Sequence, residues 1–299
     1  MKPAPFEYIR AFTIDEAVAA LAASDGEAKV LAGGQSLVPM LNFRVVDAPI
    51  FVDINGIQGL DRIEETTDGG LRIGALTRHF ALETSELVKD RFPVLHEAMK
   101  HVAHLAIRNR GTIGGSLSHA DPAAELPTMA VLLNAKIVTA GAAGGREIAA
   151  ADFFIAPLTT TLEPDEIVVA VELPGLSSGT GWGFEEFAQR RGDFAVAGVA
   201  AIVSIDGQSI DGQSMDGQSM DGQSVTEARI ALMGLHDTPV RARAAEAALL
   251  DDGIDAAAAA ARQDAEPMND LHGSADYRRH LAEVLTRRAL TAAMERAAR

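Results

Sequence analysis

The stretch LAGGQSLVPM, residues 31–40, breaks a short apolar run with Gly33-Gly34, continues through Gln35-Ser36 and meets Pro39 a few positions on. Adjacent glycines let a backbone turn through positive φ and remove the Cβ that would block a ligand, so successive N–H groups are able to face one anion. By spacing alone a tight turn is the simpler reading. A second pair shifts the balance. TIGGS, residues 112–116, repeats the device, and the Ser36 and Ser116 hydroxyls add donors. Two such nests suit a diphosphate. Neither stretch is a GxGxxG leading a long helix or a GxxxxGK[ST], so the Rossmann and P-loop routes to phosphate have no support.

Working outward, Thr13-Ile14-Asp15-Glu16 has the form of a capping box and predicts a helix over about 14–23. AKVLAGG reads as a strand running into the first glycine turn, and PIFVDIN and GLRIGALT as two more. PVLHEAMKHVAHLAI predicts one helix from Pro93, with His101 and His104 sharing a face. AAELPTMAVLLNA reads as a helix, AKIVTA as a strand, and DEIVVAVELPG as a strand closed by Pro174-Gly175. Ser and Gly gather at LSSGTGWG, residues 176–183, which marks a boundary between domains 1–176 and 177–299. The second domain opens with strands FAVAGVAAIVSI and TEARIALMGL, then turns helical, ending in an amphipathic helix from about Asp276. Between those strands, residues 204–224 repeat a five-residue unit built on Asp-Gly-Gln-Ser. Asp-Gly is a favoured hairpin turn, so a turn duplicated in tandem explains it. A calcium site is the weaker reading, because calcium β-helix repeats follow a nonapeptide pattern.

The chain has 299 residues, which at about 150 per domain suggests two domains. A formal charge of −16 opposes nucleic acid and anionic membrane surfaces as partners. There is no cysteine, hence no disulfide, thiolate nucleophile or iron–sulfur ligand of the ordinary kind; any such cluster belongs to another chain. No secretory signal pattern or apolar run of bilayer length is present, and the expectation is a soluble cytoplasmic protein without membrane insertion. His119, Asp121 and Glu125 resemble a metal constellation, but with neither cysteine nor HExxH they are read as non-metal residues. No nucleophile elbow argues for hydrolysis.

LAGGQSLVPMLNFR followed by IRNRGTIGGSLSHADPAAELP closely resembles the FAD-binding medium subunit of molybdenum hydroxylases, the group of aerobic carbon monoxide dehydrogenase, nicotine dehydrogenase and xanthine dehydrogenase. RRGDFAVAGVAAIV and MGLHDTPVRA carry the resemblance into the second domain. It implies an α+β fold: a vanillyl-alcohol-oxidase-type FAD domain of two subdomains, split near 55–60, and a smaller C-terminal flavoprotein domain holding the repeat. Residue by residue it assigns to FAD the first loop, Val30, Leu31, Ala32, Gly33, Gly34, Gln35, Ser36 and Leu37, and the second, Thr112, Ile113, Gly114, Gly115 and Ser116. Glu125 falls where the family places an acceptor for ribityl hydroxyls; Val168 and Phe194 match residues beside the flavin ring; Ala103, His119 and Asp121 complete the set. Arg108 and Arg110 either meet phosphate or frame the loop. Where relatives often carry a lysine near the flavin, this chain has Glu186, so that cation is missing or supplied by Arg190 or Arg191.

The function implied is electron transfer. A large molybdopterin subunit hydroxylates an N-heterocyclic or aromatic substrate or oxidises carbon monoxide, a small subunit with two [2Fe–2S] clusters relays electrons, and this chain passes them through FAD to an external acceptor. A dimer of heterotrimers is the implied assembly, and no substrate-hydroxylating residue is expected here. The alternatives are a stand-alone FAD oxidase or dehydrogenase of the same fold and a flavin-free scaffold.

Overall fold

The computed structural model describes residues 2–177, 179–205 and 224–299. They divide into two compact units that interleave along the chain, Met1–Ser85, Ala103–Asp121 and Asn134–Pro174 in the first, Glu86–Val102, Pro122–Leu133 and Gly175–Arg299 in the second.

The first unit holds two sheets. In a three-stranded parallel sheet, Ile50–Asp53 lies between Glu7–Arg10 and Ala28–Leu31, with Leu31 opposite Asp53. The helix Ile14–Ala22 begins as the sequence requires: the Thr13 hydroxyl accepts from Glu16 N–H at 3.1 Å. The Glu16 carboxylate accepts the N–H of Phe12 at 2.7 Å, one residue before the cap. The helix buries Ala17, Val18 and Leu21 with Val52 and Ile54 of the sheet side. The second sheet is antiparallel and five-stranded, in the order Ile63–Glu65, Leu71–Gly74, Ile167–Leu173, Lys136–Ala140, Glu147–Ala149. Leu76, Ile167 and Val169 join the core of the first sheet.

The second unit is built on a four-stranded antiparallel sheet of Thr180–Phe187, Ala197–Ile205, Val225–Met233 and Val240–Arg241. Val199, Ala201, Val203, Ile230 and Leu232 form one core with Leu285, Ala289 and Leu290 of the long helix Ala275–Ala297. Gly181 and Gly183 make this approach possible: a Cβ at either would lie 1.9 Å from the carbonyl oxygens of Ala293 and Ala289. Helices Pro93–Met99 and Glu125–Leu132 also pack on this sheet, although both come from the N-terminal half of the chain. Every residue of Glu125–Leu132 is buried, as befits a helix covered all round.

The single helix predicted from Pro93 is two. Pro93–Met99 ends before a bend in which Ala103 takes φ +44°, and Leu105–Arg108 follows. The chain leaves the second unit at Val102 and enters the first at Ala103, and the left-handed residue makes that turn. His101 and His104 therefore do not share a helical face; His101 is half-buried and His104 exposed. The strands flanking the repeat pair as a hairpin should, Ser204 opposite Glu227. The repeat itself, apart from its ends, and the calcium reading attached to it lie outside the described residues. Among the described residues no helix is long and apolar enough to cross a membrane.

Candidate functional site

Leu31 ends its strand opposite Asp53, and the chain turns at once into the first glycine loop. Gly33 is buried because the loop lies directly on the backbone leading into the second: a Cβ there would sit 2.3 Å from Arg110 O and 2.9 Å from Gly111 Cα. Gly34 takes φ +71° and turns the chain away. Among the described residues, the consecutive N–H groups of Gly33, Gly34, Gln35, Ser36 and Leu37 have no acceptor within the protein, and the Ser36 hydroxyl makes no capping bond. Residues 34–37 are half-exposed. A run of unpaired donors next to a packed seam has the form of an anion nest, because buried or half-buried N–H groups are otherwise satisfied internally or by a ligand or water.

The second loop differs from the expected second nest. Ile113 N–H donates to Thr77 O (3.1 Å), Gly114 N–H to Ala75 O (2.9 Å), Gly115 N–H to Thr112 Oγ1 (3.1 Å) and Ser116 N–H to Thr112 O (3.0 Å). Thr112 is the N-cap of helix Ile113–His119, and its hydroxyl takes the donor that an anion would have met. The glycines serve packing: a Cβ on Gly114 would lie 2.7 Å from Ala75 Cβ, and one on Gly115 2.8 Å from Thr112 Oγ1. What this loop leaves free is the Ser116 hydroxyl.

Three residues that sequence reasoning missed hold the two loops together. Asn55 Nδ2 donates to Ala32 O at 2.7 Å and to Asp53 Oδ1 at 2.6 Å, anchoring the first loop to its strand. Arg78 donates through Nη2 to Asn55 Oδ1 at 2.7 Å and through Nη1 to Arg110 O. Asp53 is the base of this chain: it accepts the Asn55 N–H at 2.9 Å and the Tyr8 phenol. Burial works against its charge, but the Tyr8 and Asn55 donors prevail and hold its carboxyl below the usual range. Behind the seam His79 is buried against Gly111, with neither ring nitrogen hydrogen-bonded. Burial pushes its proton affinity down to about 4, helped by Arg108 and Arg78, so the ring is neutral.

Arg108 is not a free cation. It forms a two-point pair with Glu83, Nε to Oε2 at 2.7 Å and Nη2 to Oε1 at 3.3 Å, and donates to Ala103 O at 3.1 Å. Arg110 is exposed and its guanidinium has no partner among the described residues. Val30 and Leu31 lie in the strand entering the loop, and Leu37 opens helix Leu37–Asn42. His119 closes helix Ile113–His119; burial lowers its proton affinity while Asp121 opposes the shift. Val168 is buried in its strand beside a register shift. In the second unit, Glu125 is buried at the start of its helix and Phe194 is 59% exposed. Glu186, with its side chain 3% exposed, has burial alone pushing it up to about 7.

Comparison with known proteins finds similarity along nearly the whole chain. The family described as the FAD binding domain in molybdopterin dehydrogenase matches residues 4–176, and the CO dehydrogenase flavoprotein C-terminal domain matches 182–293. The 6-hydroxypseudooxynicotine dehydrogenase complex subunit alpha of Paenarthrobacter nicotinovorans is 40% identical over 99% of this chain and 97% of its own. The structure superposes on carbon monoxide dehydrogenase from Hydrogenophaga pseudoflava with a TM-score of 0.90 at 38% identity, covering 99% of each chain. On quinoline 2-oxidoreductase from Pseudomonas putida 86 the TM-score is 0.88 at 37% identity, covering 99% of this chain and 100% of that one.

Proposed function

The chain belongs to the FAD-binding medium subunits of the molybdenum hydroxylases, and from that premise we propose that the first glycine loop is where it grips the FAD diphosphate. The observation that carries this is the run of five unpaired N–H groups from Gly33 to Leu37 on a seam fixed by Asn55 and Arg78. The residues fit the group: an anion of two phosphates needs several converging donors, and unpaired backbone amides supply them at no desolvation cost beyond that already incurred. Ser36 and Ser116 add hydroxyl donors, and the second loop acts as the wall on which the first is packed. Glu125, Val168, Ala103, His119, Asp121 and Phe194 are proposed as the remaining FAD contacts of the chain.

Bound there, FAD supplies one- and two-electron chemistry. The chain's own residues bind and orient it. The chain is an oxidoreductase subunit with large and small partners. We infer that the large one carries molybdopterin and the small one two [2Fe–2S] clusters, consistent with zero cysteines here. An external acceptor removes the electrons, the assembly is a dimer of heterotrimers, and it works in the cytoplasm. The test is purification of the native complex with absorption spectroscopy and gel analysis. Released FAD, iron–sulfur absorbance and two companion chains are expected. A lone yellow chain reduced directly by a small substrate would replace this reading with a stand-alone oxidase, and a colourless chain unable to take up FAD would end it.

A further inference from the structure

In strand Thr180–Phe187 the glycines at 181 and 183 face the helix Ala275–Ala297, so alternation sends Phe184 and Glu186 to the other face of the sheet. There His101 packs on Phe184, ring centroids 4.9 Å apart at 60°, and its Nδ1 stands 3.7 Å from Glu186 Oε2. The two differ sharply in access: the Glu186 side chain is 3% exposed and that of His101 36%. Glu186 Oε2 has no hydrogen-bond partner among the described residues. A buried carboxylate with an orphan oxygen is costly, whereas the neutral acid turns that oxygen into an O–H donor for which the imidazole nitrogen is the acceptor at hand. A hydrogen bond requires the pair to close by about 0.8 Å.

The surroundings permit this proton and provide no substitute for it. Helix Pro93–Met99 brings His96 and Glu97, with Lys100 just beyond; helix Glu125–Leu132 carries Glu125 as its charged residue; the strand partner of Glu186 is Gly198. Burial lowers the proton affinity of His101, Glu97 opposes this, and Arg191 after the strand and Lys100 add to it. No charged neighbour offsets burial at Glu186. The other carboxyls displaced from their ordinary range, Asp53, Glu86, Glu166 and Asp270, are all held down, the exposed ones by direct donors and the buried ones despite burial.

We propose that Glu186 and His101 form a one-proton reservoir, with the buried carboxyl holding the proton on Oε2 and the half-exposed imidazole exchanging it with water. On release, the Oε2–H bond breaks as an Nδ1–H bond forms, and the imidazolium returns a proton to water from Nε2; refilling reverses both steps, and neither residue changes oxidation state. The reservoir does not rest on the flavoprotein reading above.

Infrared spectroscopy tests it. Spectra of the purified full-length protein between about pH 5 and 9 should show a protonated-carboxyl band that fades through about pH 7 and is missing in Glu186→Gln. Glutamine mimics the neutral acid, so this variant should fold, and His101→Gln should keep the band while slowing its deuterium shift. A wild-type spectrum without the band, or one unaltered by Glu186→Gln, overturns the reservoir, and a deuterium shift that His101→Gln leaves unchanged overturns the role of the imidazole.

Discussion

Replacing Gly33 with alanine tests the seam on which the proposed FAD site depends. The new Cβ would lie 2.3 Å from Arg110 O and 2.9 Å from both Arg110 C and Gly111 Cα. Carbon and oxygen in contact settle at about 3.3 Å, so the two loops must part by roughly 1 Å. The obstacles are backbone atoms, and Arg110 O is held in place by Arg78, so a side-chain rotation gives no relief. Gly33 does not have positive φ, so alanine's own backbone preference adds nothing and the clash is the whole effect. Overpacking of this kind costs about 1–3 kcal/mol. If half or more of that falls on the cofactor-bound state, FAD affinity drops by about 2- to 160-fold. The assay is FAD retained after desalting, followed by equilibrium titration of the stripped protein, with urea unfolding run in parallel. Gly141→Ala is the control, since its Cβ would make an ordinary 3.5 Å contact with Glu166 Cγ. If Gly33→Ala matched the control in both FAD affinity and unfolding midpoint, the seam would not be what orders the loop.

Asn55→Ala removes the donor to Ala32 O and the acceptor for Arg78, and should lower stability by about 1–3 kcal/mol and weaken FAD retention; Asn55→Asp, which sets a second carboxylate beside Asp53, should do worse, as denaturant melts would show. Glu186 has a folded value of about 7 against an ordinary 4.5, so the stability it lends when neutral is complete below 4.5 and is lost as pH rises through 7. That displacement corresponds to roughly 3–4 kcal/mol at most, and urea midpoints should fall on the alkaline side in the wild type but stay flat in Glu186→Gln. Replacing residues 206–223 with Asn-Gly should leave FAD content and the thermal midpoint unchanged, because Ala197–Ile205 and Val225–Met233 already pair antiparallel; a loss of FAD would contradict this.

How much of this could be read in the sequence depended on the distance over which each feature is decided. The Thr13 cap and the short apolar strands are local, and the chain shows them directly. Which sheet a helix covers is not local. Pro93–Met99 and Glu125–Leu132 pack on the C-terminal sheet, and nothing in their own residues names that partner. The bend at Ala103, where φ is +44°, was hidden as well, because alanine favours helix and its own residue type carries no signal of a turn. In the site, the first glycine pair was legible as a nest. The second was misassigned although the signal was present: Thr112 three residues before Gly115 is an N-cap spacing, and a cap takes the N–H groups that a nest would leave open. Asn55 and Arg78 gave no signal, since each matters through a carbonyl in a distant loop.

The charges around the site bear on how an anion is held by a chain of net charge −16. Of the three arginines at the loops, Arg108 is engaged with Glu83 and Arg78 with Asn55 and Arg110 O, while burial and the neighbouring Arg110 lower the proton affinity of Arg78. Arg110 keeps a guanidinium without a partner among the described residues, but it is exposed. His79 is neutral. Attraction therefore falls chiefly to fixed backbone dipoles at short range, with one solvent-screened side-chain charge beside them. Exposed charges lose most of their pull beyond a Debye length of about 8 Å in physiological salt, whereas amides in contact with their ligand are little screened. Such a nest also has its donors in place before the ligand arrives, provided the loop is held, and the Asp53–Asn55–Arg78 chain holds it. Cofactor retention in this subunit should accordingly respond strongly to the geometry of the Gly33 seam and weakly to ionic strength.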